Sequence, residues 1–230
     1  MKVQIFGDSV MRGIVYSGNR YRTVSTRFQS LQNAGMEVCN YARLGHTVDK
    51  GLADMKRRLT ESAEETTVIL GFGGNDCDYN WDVVAQNNDK NHLPNTEATP
   101  FVATYRACIR HAKSLGAAVY VTNLVPLHAK RFMDHIGQNG RRKAIEEWLG
   151  DESMLYRWHE YYHQLVCETA REEEADILDI RTPFLLSRRY ETLLGEDGIH
   201  PTEEGYRLIE ETIESQLLVN THLHSTIQWA

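Results

Sequence analysis

Four short stretches of this chain carry residue types that together could cleave an ester. They are Gly7-Asp8-Ser9, then Arg43-Leu44-Gly45-His46-Thr47, then Gly73-Gly74-Asn75-Asp76, and late in the chain Asp197-Gly198-Ile199-His200-Pro201-Thr202. A serine hydroxyl is a poor nucleophile until a base removes its proton. Ser9 is the candidate nucleophile and His200 the candidate base. Asp197 stands three residues before His200, close enough within one turn for its carboxylate to reach the imidazole. There it would fix the tautomer and stabilise the imidazolium that forms. The tetrahedral intermediate of acyl transfer also needs donors for its oxyanion. The N–H of Ser9, the N–H of Gly45 and the side-chain amide of Asn75 are the candidates, a glycine letting substrate approach the backbone closely. Asp8 and Asp76 are read as turn and hydrogen-bonding residues, with Asp8 also bordering the substrate pocket.

These residues must be held by something regular. Strand-like apolar runs recur at 3–6, 36–41, 66–72, 117–125 and 175–180, and helical patterns lie between and after them at 24–34, 48–59, 99–115, 153–174 and 202–218. Near-continuous apolar strands alternating with amphipathic helices indicate an α/β fold, with a parallel sheet covered on both faces. The expectation is five strands in a three-layer α/β/α sandwich, formed by residues 1–230 as one domain. In such a sheet the ligand crevice lies beyond the carboxyl ends of the strands. The first three reactive stretches follow strands there, and Pro201-Thr202 opens the last helix just after His200. Two segments break the rhythm. Residues 77–98 are rich in Asn and Asp, residues 126–152 are mixed, and both are read as covering loops.

Composition sets the outer limits. The chain has 230 residues, 41% hydrophobic and 25% charged, which is ordinary for a globular protein with one large core. Its formal charge of −7 argues against binding a phosphate backbone, so no nucleic-acid partner is expected. Cys39, Cys77, Cys108 and Cys167 are widely spaced, which fits free thiols in a reducing compartment. Strand-like sequence begins at Lys2, so no signal peptide is expected, and no apolar run approaches the roughly 18 residues of a membrane span. A cytoplasmic protein with no membrane partner is expected.

Gly-Asp-Ser near the start, a glycine after the second strand, Gly-Gly-Asn-Asp after the third and Asp-x-x-His near the end resemble the SGNH (GDSL-type) hydrolases in order and spacing, from Gly7 to about Leu218. The resemblance carries the nucleophile to Ser9, the oxyanion donors to Ser9, Gly45 and Asn75, and the aspartate and histidine to Asp197 and His200. It implies a flavodoxin-like sheet of strand order 2-1-3-4-5 and hydrolysis of esters or thioesters without a cofactor or metal. Val10 stands where the GDSL signature has leucine.

Rival readings exist. His159-Glu160-Tyr161-Tyr162-His163 matches H-E-x-x-H, two histidines on one helix face, and would make a zinc-dependent hydrolase if a third ligand were supplied. The bland alternative is a polar stripe on a crossover helix. His111, His128, His135, His222 and His224 are scattered, the last two near the tail being able to trap metal in vitro. Gly71-Phe72-Gly73-Gly74-Asn75 lacks the spacing of a dinucleotide loop. Trp81, His92 and Leu93 in one covering segment and Phe132 and Trp148 in the other are candidates for the pocket wall. Arg141 and Arg142 read as a solvated pair. Because the covering segments are polar, the expected substrate is a small-molecule ester with a short acyl group, such as an acetyl ester of a carbohydrate. Lysophospholipid or thioester cleavage is the alternative. The 220–230 tail leaves a homo-oligomer open.

Overall fold

The computed structural model describes residues 1–26, 28–60, 63 and 65–227, with side chains as far as Val219. The chain opens with β1 (Lys2–Gly7), α1 (Ser9–Arg12), β2 (Ile14–Ser17), β3 (Arg20–Thr23), α2 (Gln29–Asn33), β4 (Glu37–Asn40), α3 (Val48–Arg58) and β5 (Thr66–Gly71). It continues with α4 (Trp81–Gln86), α5 (Ala98–Ser114), β6 (Ala118–Thr122), α6 (Ala129–Ile136), α7 (Arg142–Leu149) and α8 (Ser153–Glu172). It ends with β7 (Asp176–Leu178), α9 (Arg181–Leu186), α10 (Tyr190–Leu193) and α11 (Glu203–Ile227).

Five strands form one parallel sheet in the order β4-β1-β5-β6-β7, which is 2-1-3-4-5 when only these strands are counted. Successive side chains of a strand point to opposite faces. Val68 and Leu70 accordingly join Phe6, Val119 and Val121 in one core, against Val48 and Met55 of α3, Phe101 and Tyr105 of α5, and Tyr162 of α8. Ile69 joins Val3, Ile5 and Tyr120 in the other, against Leu31, Phe184, Tyr206, Ile209 and Ile213. Both faces of the central strands are covered, and β5 and β6 are accordingly apolar along most of their length, while the marginal β4 and β7 carry Glu37, Asn40 and Asp176.

The structure departs from the sequence reading in the connections. A two-stranded antiparallel hairpin, β2–β3, follows α1. Its two-residue turn is Gly18-Asn19, with φ of +56° and +59°, the left-handed pair that suits the twist of a tight hairpin. The helix expected over 24–34 shrinks to α2. The segments at 77–98 and 126–152 are not simple loops. They contain α4, α6 and α7, whose apolar sides close on one another as a third cluster of Trp81, Val84, Phe132, Met133, Ile136 and Ile145. The Asn80 side chain caps α4 by accepting the Val83 N–H at 3.2 Å. His128 accepts the Arg131 N–H at 3.3 Å at the start of α6. α11 runs on to Ile227. The side chains of His222 and His224, and residues 228–230 of the tail, lie outside the described residues.

Candidate active site

The site is built at the carboxyl ends of β1 and β5. Gly7 and Gly71 lie side by side in register. A Cβ on Gly7 would stand 2.6 Å from Met11 Cγ and 2.7 Å from Gly71 O, so only glycine lets the chain turn here. Asp8 follows as the N-cap of α1, its Oδ1 accepting the Val10 N–H at 2.9 Å. Ser9 is the first residue of that helix and is buried.

His200 reaches it from the far end of the sequence. Its Nε2 is 2.9 Å from Ser9 Oγ, and its Nδ1 is 2.6 Å from Asp197 Oδ2. The other carboxylate oxygen of Asp197 accepts the N–H groups of Ile199 (3.2 Å) and His200 (3.1 Å), which fixes the turn that carries both residues. Asp197 is 0% exposed. Gly195 N–H donates to His200 O at 2.7 Å, and Leu194 bridges Pro201 across the turn. Gly198, at φ +75°, passes against α6, where the His128 N–H donates to its carbonyl at 2.8 Å. The turn is thus tied to the covering segment as well as to its own backbone.

Asp76 organises the opposite wall. Its carboxylate accepts the Val48 N–H, Oδ1 at 3.0 Å and Oδ2 at 3.2 Å, so it caps α3 from another part of the chain. This bond joins the loop carrying Asn75 to the one carrying Gly45. Asp76 is 0% exposed, and burial pushes its carboxyl up to about 7. Asp8 is raised to about 6, again by burial, against the pull of the Val10 N–H and the nearby His200. Asn75 lines the cavity beside Ser9. Its carbonyl accepts the Asn95 amide at 2.9 Å, and among the described residues its own amide has no partner. Gly45 sits in an exposed turn at φ +72°, and its neighbour Leu44 rather than Gly45 itself lines the cavity.

From Ser9 a cavity of about 590 Å³ runs between the sheet and the covering helices. Of the candidates for the pocket wall, Asp8, Trp81, Phe132 and Trp148 line it. His92 and Leu93 do not. The His92 ring packs against Trp148 at 5.5 Å between centroids and bonds Asn87 O at 2.8 Å, while Leu93 is 67% exposed. Arg141 and Arg142 also stay outside, engaged by Asp82 at 2.6 Å and Asp134 at 2.5 Å.

Several wall residues escaped the sequence reading. Tyr21 on the hairpin stands edge-on to His200, with ring centroids 5.4 Å apart, and its hydroxyl is 3.5 Å from His135 Nε2. Asp78, Tyr79 and Trp158 line the cavity too. So does His159, which shows that α8 borders the crevice rather than avoiding it. His159 is 8% exposed, its Nδ1 is unpartnered, and burial pushes its imidazole down to about 3, helped by Arg181 and His163. It is neutral at any ordinary pH. Its companion His163 lies against Glu160 and Cys167. Among the described residues no group of three or more His, Cys, Asp or Glu side chains is arranged to hold a metal ion, so the H-E-x-x-H pattern lacks its third ligand. Among the same residues no helix is long and apolar enough to cross a membrane.

A parallel sandwich with a serine and a histidine–aspartate pair at the strand ends defines an SGNH-type hydrolase. The chain belongs to the GDSL-like lipase/acylhydrolase family, which it matches over residues 5–208, and it is an esterase-type hydrolase acting on ester bonds. A search of curated proteins by sequence found no match. Among solved structures, the chain is similar to a lipase/acylhydrolase from Enterococcus faecalis, with 19% identity, a TM-score of 0.59 and 94% of each chain covered. It is similar to the acetyl xylan esterase AlAXEase, with 18% identity, a TM-score of 0.62 and coverage of 94% of this chain and 99% of that one. A lipolytic protein of the G-D-S-L family from Desulfitobacterium hafniense shares 20% identity at a TM-score of 0.54, with 93% and 98% covered. At these identities the likeness speaks for the fold.

Proposed function

We propose that the protein hydrolyses carboxylic esters through an acyl-enzyme on Ser9. His200 takes the Ser9 proton and returns it to the leaving alcohol, and Asp197 holds the imidazole and its charge. The Ser9 and Gly45 N–H groups and the Asn75 amide stabilise the oxyanion. Water then attacks the acyl-enzyme, with His200 again as base. The observation that carries this reading is the unbroken chain Ser9 Oγ–His200 Nε2 at 2.9 Å and His200 Nδ1–Asp197 Oδ2 at 2.6 Å, at the edge of a cavity.

The acyl group is larger than acetyl. An acetyl group alone would leave most of a 590 Å³ cavity unfilled, and Trp81, Phe132, Trp148 and Leu155 line it. A long or bulky acyl ester or thioester, the lysophospholipase-like alternative, suits this wall better. Free cysteines at 39, 77, 108 and 167 support a cytoplasmic location.

The test is a series of p-nitrophenyl esters from acetate to decanoate, with the parent chain and Ser9→Ala. The optimum should lie beyond acetate, and Ser9→Ala should fall to near background while staying folded. Activity that survives an organophosphonate but dies with a chelator would instead favour a metal site at His159 and His163.

A further inference from the structure

The cavity wall holds a negative charge that the protein does not balance. The Asp78 carboxylate lines the cavity, accepting the Trp81 Nε1–H at 2.7 Å and the Tyr79 N–H. Among the described residues no lysine or arginine pairs with it, and none lines the cavity. Of the histidines there, burial holds His135 and His159 toward their neutral forms, and His200 is engaged by Asp197. Asp78 is partly exposed to the cavity, and a carboxylate in a cleft with no cation beside it is a candidate for contact with a ligand. Burial raises the Asp78 carboxyl to about 6, and a cation beside it would favour the ionised form.

Around this carboxylate stand aromatic rings. Tyr79 lies 5.4 Å from Trp81, 5.0 Å from Trp148 and 6.0 Å from Trp158, centroid to centroid. All three indole N–H groups are engaged inside the protein, by Asp78, by Lys90 O at 3.0 Å and by Cys77 O at 2.9 Å. The indoles therefore offer the cavity aromatic surface with no free N–H donor. An alkyl chain laid directly over Asp78 would strip water from it and give nothing back, so the acyl chain belongs along the Phe132 and Leu155 side of the cavity and not at this carboxylate. A cation with an apolar coat satisfies both the carboxylate and the rings.

We propose that the cavity selects esters bearing a quaternary or substituted ammonium group, which seats against Asp78 among Tyr79, Trp81 and Trp148. This deepens the esterase reading and rests on it only for the identity of the ligand as a substrate.

Its test needs no turnover. The full chain carrying Ser9→Ala is titrated by tryptophan fluorescence with butyrylcholine and with 3,3-dimethylbutyl butyrate, the same shape with carbon in place of the charged nitrogen. The choline ester should bind at least about tenfold more tightly, the scale of one desolvated cation–π contact with a nearby charge. Asp78→Asn, which keeps an acceptor for Trp81, should bring the two within about twofold. Should that variant fail to fold, Trp148→Leu serves in its place. It should weaken the choline ester at least about threefold more than its isostere. Equal binding, tighter binding of the neutral ester, or a preference untouched by these variants overturns the proposal. Such a result leaves the hydrolysis reading intact, which falls separately if no p-nitrophenyl ester is turned over.

Discussion

Gly198→Ala tests whether the turn between Asp197 and His200 is rigid enough to aim the imidazole. Two costs can be worked from the structure. The position has φ +75°, where an L-residue loses about 1–2 kcal/mol. An added Cβ would also stand 2.6 Å from His128 O and 2.7 Å from Phe132 N, both backbone atoms that cannot swing away. Overpacking of that kind costs about 1–3 kcal/mol. The sum, about 2–5 kcal/mol, is relieved only if the turn moves away from α6, and it carries His200 with it. A displacement of about 1 Å at a catalytic group can lower turnover about 10²-fold. Gly35→Ala is the control, since Gly35 has φ +80° with nothing within 4 Å of a Cβ and isolates the conformational cost. Urea denaturation and kcat on a p-nitrophenyl ester provide the readout. Gly198→Ala should lose clearly more stability than Gly35→Ala and at least tenfold in kcat. Equal losses, with activity retained, would refute the idea that contact with α6 aims the histidine.

Three further outcomes are expected. Asp197→Asn should lower kcat by up to about 10⁴ with little change in KM, read by steady-state kinetics, and a loss below tenfold would mean that another group orients His200. Asn75→Ala should cost about 10²–10³ in kcat if its unpartnered amide serves the oxyanion. Asp76 is raised in the folded state to about 7 from 3.8, so its contribution is fully present below about pH 4 and is lost as pH rises toward 7. Asp76→Asn keeps an acceptor for the Val48 N–H and removes this dependence. The variant should gain stability over the parent at pH 8 but not at pH 4, as measured by denaturant titration at both values.

Much of this arrangement is legible in the sequence because the chemistry sits in short glycine-flanked motifs at strand ends. Ser9, Asp197 and His200 come together from 191 residues apart, as the alternation of strands and helices requires. The hairpin is legible too, since Gly18-Asn19 between Tyr16 and Tyr21 is a two-residue turn signal, although the strand and helix pattern read from the sequence leaves residues 14–23 unassigned. The cavity wall was not legible. Trp158 and His159 belong to a helix whose pattern reads as ordinary packing, and only the tertiary placement of α8 brings them to the cavity wall. The covering segment at 126–152 hid two helices because each is short, and its apolar residues are interrupted by charged ones that pair outward, such as Arg142 with Asp134 and Glu146.

The two strands at the margins of the parallel sheet are its shortest, β4 with four residues and β7 with three. Little unpaired backbone is left there to template a neighbouring chain. Strand-to-strand growth between copies is therefore a poor route to either ordered assemblies or precipitates. Concentrated preparations should tolerate refolding better than a sheet with long open margins would, and any self-association should run through helix faces instead.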